Sequence, residues 1–148
     1  MLHRSKCPSL WAGKPCYYCG AAAEGHDHVV PFAMVGNNTV TVPCCHECNC
    51  LLSSKLFANV ESKGGYIYLR FKKRYNKVLN VYKRWFNEDL SEFGPNIRNS
   101  IMADINKALY AKDRIDYASE HYESLSEQER QALDNYMKTG GRTLTVVI

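Results

Sequence analysis

Cys16-Tyr17-Tyr18-Cys19-Gly20 and Cys45-His46-Glu47-Cys48-Asn49 are the two stretches that decide how this chain folds. In each, two residues separate the cysteines, so both thiolates of a pair can reach one ion from a tight turn. Two such pairs complete a tetrahedral site. Cys16, Cys19, Cys45 and Cys48 therefore read as ligands of a structural Zn²⁺. Gly20 stands where such a knuckle benefits from a residue that tolerates positive φ. Cys44 lacks the two-residue gap to Cys48 and reads as a buried apolar side chain. Cys50 falls on the following helix as a core or surface thiol, and Cys7 has no assigned role.

All 7 cysteines lie between Cys7 and Cys50, and the odd number argues against a fully disulfide-paired framework. No apolar run follows the basic residues of the first ten positions, so no signal peptide is expected. No stretch is long and apolar enough to span a membrane. A reducing, cytoplasmic setting is the expectation, and there paired cysteines serve metals rather than disulfides. The 148 residues, 45% hydrophobic, suit one domain or a compact module with a helical extension. The Cys-, Gly- and Pro-rich first third needs a staple to fold. A net charge of +4 says little until its distribution is considered.

Working outward, residues 25–31 form a candidate strand, with Val29 and Val30 supplying β propensity. Gly36-Asn37-Asn38 signals a turn, Thr39–Val42 alternates as a second strand would, and Pro43 should end it. Residues 46–58 read as a helix. After Gly64-Gly65 a basic, aromatic helix is expected over 66–84. A short helix over 88–93 should stop at Gly94-Pro95. A longer one should run over 97–110 and toward His121, with Ile97, Ile101, Ile105, Ala108 and Leu109 as its buried stripe. Ser126 and Glu129 form a candidate capping box for a last helix ended by Gly140-Gly141. The β-prone tail over 143–148 has no assigned role.

Between the knuckles lies His26-Asp27-His28-Val29-Val30-Pro31, and Asn49 directly follows the last knuckle cysteine. The order CxxC, DHxxP, CxxCN over residues 14–58 resembles the HNH endonuclease family. The continuation CNCLLSSKLF and the basic helix after it look like small phage-type HNH proteins. The resemblance implies an α+β fold: a zinc-stapled ββα-metal finger over residues 1–60, then a helical C-terminal extension over 61–148 packed on or next to it. It also implies that His28 is the general base, and that Asp27 and Asn49 hold a catalytic divalent ion, Mg²⁺ or Mn²⁺. The family's middle Asn falls here at Val40. Asn38, two residues earlier and so on the same strand face, is the candidate substitute.

These roles fit the chemistry. Phosphodiester hydrolysis needs an activated water, a cation on the phosphate and stabilisation of the leaving oxygen. A histidine titrates near 6.5 and suits a base at neutral pH. Carboxylate and amide oxygens suit a hard ion. Asp27 points to the opposite strand face from His28, yet at a frayed strand end the two can flank one phosphate. His26 takes a supporting role.

From Lys63 to Arg84 the chain carries eight basic residues and no acidic one. Lys55, Arg70, Lys73, Arg74 and Lys77 are the candidate phosphate contacts. The interleaved aromatics pack the helix onto the domain or stack on exposed bases. The expected function is a metal-dependent endonuclease acting on DNA, with RNA as the other polymer that fits. A second copy of the chain, or a phage or host protein, is the partner left open. The competing function is a non-catalytic zinc-finger module that binds nucleic acid or protein. A redox role for the CxxC pairs lacks a βαβ context.

Overall fold

The sulfur of Cys45 accepts a hydrogen bond from the Cys48 N–H, so a knuckle cysteine doubles as the N-cap of the first helix. This computed structural model describes residues 11, 13–28, 40–53, 55, 57, 59–85 and 88–139. In chain order the elements are β1 (Gly25–His28), β2 (Thr41–Cys44), α1 (His46–Leu52), α2 (Val60–Arg74), α3 (Asn76–Trp85), α4 (Pro95–Ser124) and α5 (Glu127–Lys138). The class is α+β. The two strands pair antiparallel, with Gly25 opposite Cys44 and His28 opposite Thr41.

β2 departs from the expectation. It starts two residues later and runs through Pro43, which was read as its end. The Pro43 carbonyl accepts from the Tyr17 N–H at 2.9 Å, so its backbone polar side faces the first knuckle, away from β1. The missing N–H of Pro43 therefore takes nothing from the ladder, which is the one kind of position where a strand tolerates proline. The same bond ties the first knuckle to the sheet.

Three helical expectations are also corrected. α1 stops at Leu52, not at 58, because Ser53 adopts a positive φ of 47° and caps the helix onto the Asn49 carbonyl. The expected 66–84 helix is two helices. The first begins at Val60, where the Asn59 side chain accepts from the Ser62 N–H. The break falls at Tyr75, whose ring packs on Phe71 while its hydroxyl donates to Glu47. Gly64 and Gly65 lie inside α2 and do not precede it. A Cβ on Gly64 would lie 2.3 Å from Cγ of His121, and one on Gly65 would lie 2.8 Å from Leu125. These glycines let α2 approach α4 and the turn into α5 closely. Residues 88–93 form turns rather than a helix.

α4 runs the full 30 residues with Pro95 in its first turn, longer than expected at both ends. Its buried line is Ile101, Ala108, Ala111, Arg114, Ile115 and Ala118. Ile97 and Leu109, expected in that line, are 55% and 39% exposed. The Ser126/Glu129 capping box is present and opens α5. One contiguous cluster of buried side chains joins the knuckle cysteines and Tyr18 to Ile67, Phe71, Ile115, Leu125 and Leu133. α2, at the centre of this cluster, packs on α4 and α5. Asn38, Cys7, residues 29–31, the 36–38 turn, Gly140-Gly141 and the 143–148 tail lie outside the described residues. Among the described residues no helix is long and apolar enough to cross a membrane.

Candidate metal centre and active site

Cys16, Cys19, Cys45 and Cys48 converge, all buried, with their sulfurs within 4.8 Å of one another. Tetrahedral coordination with Zn–S near 2.3 Å requires sulfurs roughly 3.8 Å apart. The Cys19 and Cys45 sulfurs stand at 3.6 Å, and no disulfide joins any of the four. The donor set and its dimensions fit a structural zinc ion. Two hydrogen bonds shape the first knuckle: Cys16 N–H to the Ala21 carbonyl, and Gly20 N–H to the Cys16 carbonyl. Gly20 has a φ of +77°, as its place after a knuckle suggested, and Tyr117 closes over it. Hydrogen bonds, first from Cys19 and then from Cys44, hold the Cys16 thiol down at about 3. Cys44 is fully buried and donates to the Cys45 carbonyl, as a non-ligand should.

A residue that the sequence did not single out completes this centre. Arg114, on α4, is 6% exposed. Its Nε donates to Cys19 Sγ at 3.4 Å and its Nη2 to Cys45 Sγ at 3.7 Å. Its Nη1 lies 2.6 Å from Glu47, and its guanidinium covers the Phe71 ring at 4.5 Å. Four thiolates around a divalent ion carry two net negative charges, and a buried cation offsets part of that charge. Burial alone would lower the Arg114 guanidinium, but the Cys19 sulfur and the Glu47 carboxylate push it up instead. Burial would likewise raise Glu47. Bonds from Tyr75, Arg74 and Arg114 outweigh that effect and hold its carboxyl below the ordinary value. Arg74, expected to contact phosphate, is thus committed to Glu47 at 2.6 Å.

The strand between the knuckles has two unlike faces. Asp27 turns inward and is 6% exposed. The Lys63 ammonium lies 2.9 Å from its Oδ2, and the Tyr18 hydroxyl donates to the same oxygen at 2.6 Å. Lys63 also donates to the His28 carbonyl at 2.7 Å. Neither Lys63 nor Tyr18 was legible as part of the site. His26 and His28 share the other face, their rings 5.1 Å apart and edge to face. Burial and then the neighbouring His26 push the His28 imidazole below its usual value; Asp27 pulls it up, and Lys63 adds a smaller downward push. Nδ1 of His26 is buried and has no hydrogen-bond partner among the described residues. Asn49, exposed on α1, donates its Nδ2 to the His26 carbonyl at 3.3 Å. That bond fixes the amide beside β1 and leaves its Oδ1 without a hydrogen-bond partner among the described residues.

Asp27, buried and ion-paired, and Asn49, exposed on α1, carry oxygens of the type a hard divalent ion takes, but no contact joins the two among the described residues. Asp27 would offer Oδ1, since Oδ2 already serves Lys63 and Tyr18. Val40, where the resemblance would place a middle Asn, is 73% exposed and has an apolar side chain. Lys55, Arg70 and Lys73 lie together at one cavity, while Lys77 stands exposed on α3. Comparison with protein-family models, with curated proteins and with solved structures gave no match.

Proposed function

We propose that this chain is a metal-dependent endonuclease of the HNH type that hydrolyses phosphodiester bonds in DNA. The observation that carries this reading is the half-buried face of β1 that bears His26 and His28. There two imidazoles meet, the Asn49 amide holds the His26 backbone carbonyl, and one buried imidazole nitrogen has no partner within the described residues. Leaving a buried polar atom unsatisfied costs about 1–3 kcal/mol, so such atoms mark places where a ligand or substrate completes the bonding.

In this reading His28 is the general base. Its lowered pKa favours the neutral imidazole, ready to accept a proton from water. The water oxygen then bonds to phosphorus as the bond to the leaving oxygen breaks. His26 orders the water or a phosphate oxygen. A divalent ion, Mg²⁺ or Mn²⁺, held by Asp27 and Asn49 would supply positive charge to the phosphate and the leaving oxygen. The zinc centre holds the start of α1 and so aims Asn49, one residue after Cys48. Lys63 fixes the strand from behind by holding both Asp27 and the His28 carbonyl.

A second reading draws support from that same lysine. Asp27 already has a buried counter-charge and a hydroxyl donor, which gives it a structural role without any ion. On that reading the chain is a non-catalytic zinc-finger module that binds nucleic acid or protein. Incubating zinc-loaded protein with supercoiled plasmid and Mg²⁺, Mn²⁺ or EDTA separates the two. The nuclease converts the plasmid to open-circular or linear form only with the divalent ion. The module retards the plasmid in a gel and leaves it uncut.

A further inference from the structure

A cavity of about 260 Å³ opens between the end of α1, the second half of α2 and the end of α5. Lys55, Arg70 and Lys73 line it, together with Tyr66, Tyr136 and Met137, and no carboxylate does. Among the described residues none of the three cations forms an ion pair, in contrast to Arg74 next in sequence, which is engaged by Glu47. The Lys55 ammonium is steadied at the rim by the Leu51 carbonyl at 3.3 Å. Three like charges around one concavity repel one another, and an anion there relieves all three. Arginine and lysine together suit a phosphate: the guanidinium binds two oxygens and the ammonium acts as a point charge.

The rest of the wall is aromatic and apolar. Tyr66 and Tyr136 pack edge to face at 5.7 Å, with Met137 beside them. A free phosphate would leave this wall without a partner. A sugar or base attached to the phosphate would cover it. The volume lies just under the roughly 300 Å³ at which pockets for drug-sized ligands begin, which suits one nucleotide rather than two. Lys63 and Arg70 are seven residues apart on α2, two turns along one stripe, or roughly 10 Å. Lys63 holds the carbonyl of His28, so the helix that lines the cavity also supports the strand that carries the proposed base.

We propose that this cavity binds one unpaired nucleoside monophosphate unit of a nucleic-acid strand, with its phosphate on Arg70, Lys73 and Lys55 and its base or sugar against Tyr136 and Met137. The strand assignment rests on the nuclease reading, whereas binding of the nucleotide itself does not. Nuclear magnetic resonance of the labelled, zinc-loaded full chain tests it by titration with thymidine 5′-monophosphate, thymidine, inorganic phosphate and a 5′-phosphorylated thymidine tetranucleotide. The monophosphate should shift Arg70, Lys73 and Tyr136 saturably. It should bind about tenfold or more tightly than thymidine or phosphate alone, a gap of roughly 1.4 kcal/mol. The tetranucleotide should bind at least as tightly. Arg70→Ala/Lys73→Ala should lose about tenfold in affinity, while Arg98→Ala/Lys107→Ala on α4 and His28→Ala should bind as the wild type does. Shifts spread evenly over α3, or phosphate binding as tightly as the nucleotide, would reduce the cavity to part of a diffuse basic face and overturn the proposal. Exclusion of the tetranucleotide would overturn the assignment to a strand. Because His28→Ala is expected to retain binding, loss of cleavage without loss of binding would count against neither site.

Discussion

Asp27 and His28 are consecutive residues of one strand, yet their surroundings share almost nothing. Asp27 faces the helices and lies between a buried ammonium and a phenol. His28 faces outward beside His26, whose backbone carbonyl accepts from the Asn49 amide. The alternation of a strand separates them, and α2 holds both: Lys63 neutralises the first and pins the carbonyl of the second. The inner face carries Asp27, which supports the fold through Oδ2 and keeps Oδ1 for the proposed ion, and the outer face carries the proposed base. A change on the inner face should therefore appear first as lost stability, and a change at His28 as lost activity in an intact fold.

The largest expected effect is on the support common to both faces. The buried cluster runs through all four knuckle cysteines, so a strong chelator should abolish the cooperative unfolding transition. Structural zinc is worth about 10–16 kcal/mol in small finger peptides, comparable with the whole stability of a typical domain at about 5–15 kcal/mol. Circular dichroism melts with and without chelator check this. A transition of unchanged midpoint would mean that the helices fold without the metal centre.

Next comes the inner face itself. Asp27→Asn leaves the Lys63 ammonium buried without its counter-charge, which should cost about 3–5 kcal/mol in denaturant unfolding. The double variant Asp27→Leu/Lys63→Met should recover most of that loss, since the charge and its partner leave together. A cost below about 1 kcal/mol for Asp27→Asn would place the pair in contact with water and weaken the contrast between the faces.

Packing behind the strand gives a smaller effect. Gly64→Ala places a methyl 2.3 Å from His121 and should destabilise by about 1–3 kcal/mol as α2 and α4 separate. Thermal melts with the zinc site saturated measure it, and an unchanged melting temperature would show that His121 can swing aside.

These predictions also mark what could be read from the sequence. The knuckles were legible because a metal pair is a local pattern: two cysteines, a fixed gap, a following glycine. The capping box and the long last helices were legible for the same reason. Lys63, Tyr18 and Arg114 were not, because each matters through a partner 9 to 95 residues away. Lys63 reads as one more cation in a basic run, and only the fold shows that it is buried. Gly64-Gly65 looked like a helix boundary, since glycine in isolation weakens a helix. Here it sits mid-helix because a side chain would not fit. Pro43 looked like the end of a strand, and the direction of its carbonyl explains why it is not.

The smallest expected effect concerns pH. Burial would raise Glu61, but hydrogen bonds from His121 and Tyr17 outweigh it and hold the carboxyl below its ordinary 4.5. A lowered carboxylate stabilises the fold above its unfolded value and loses that contribution as pH falls through the folded one. Wild-type stability should therefore fall with acid more steeply below about 4.5 than that of Glu61→Gln. Both proteins lose zinc affinity in acid, so the difference between their slopes is the quantity to compare, and equal slopes would remove Glu61 from the account.

The most direct test of the central claim is the single-turnover cleavage rate of His28→Ala beside its melting temperature, on zinc-loaded protein with Mg²⁺ or Mn²⁺ and plasmid DNA. The account predicts a fall in rate of about 10²- to 10⁴-fold with the melting temperature unchanged within a degree or two. A variant that cuts as fast as the wild type, or that unfolds, would contradict the assignment of His28 as the base.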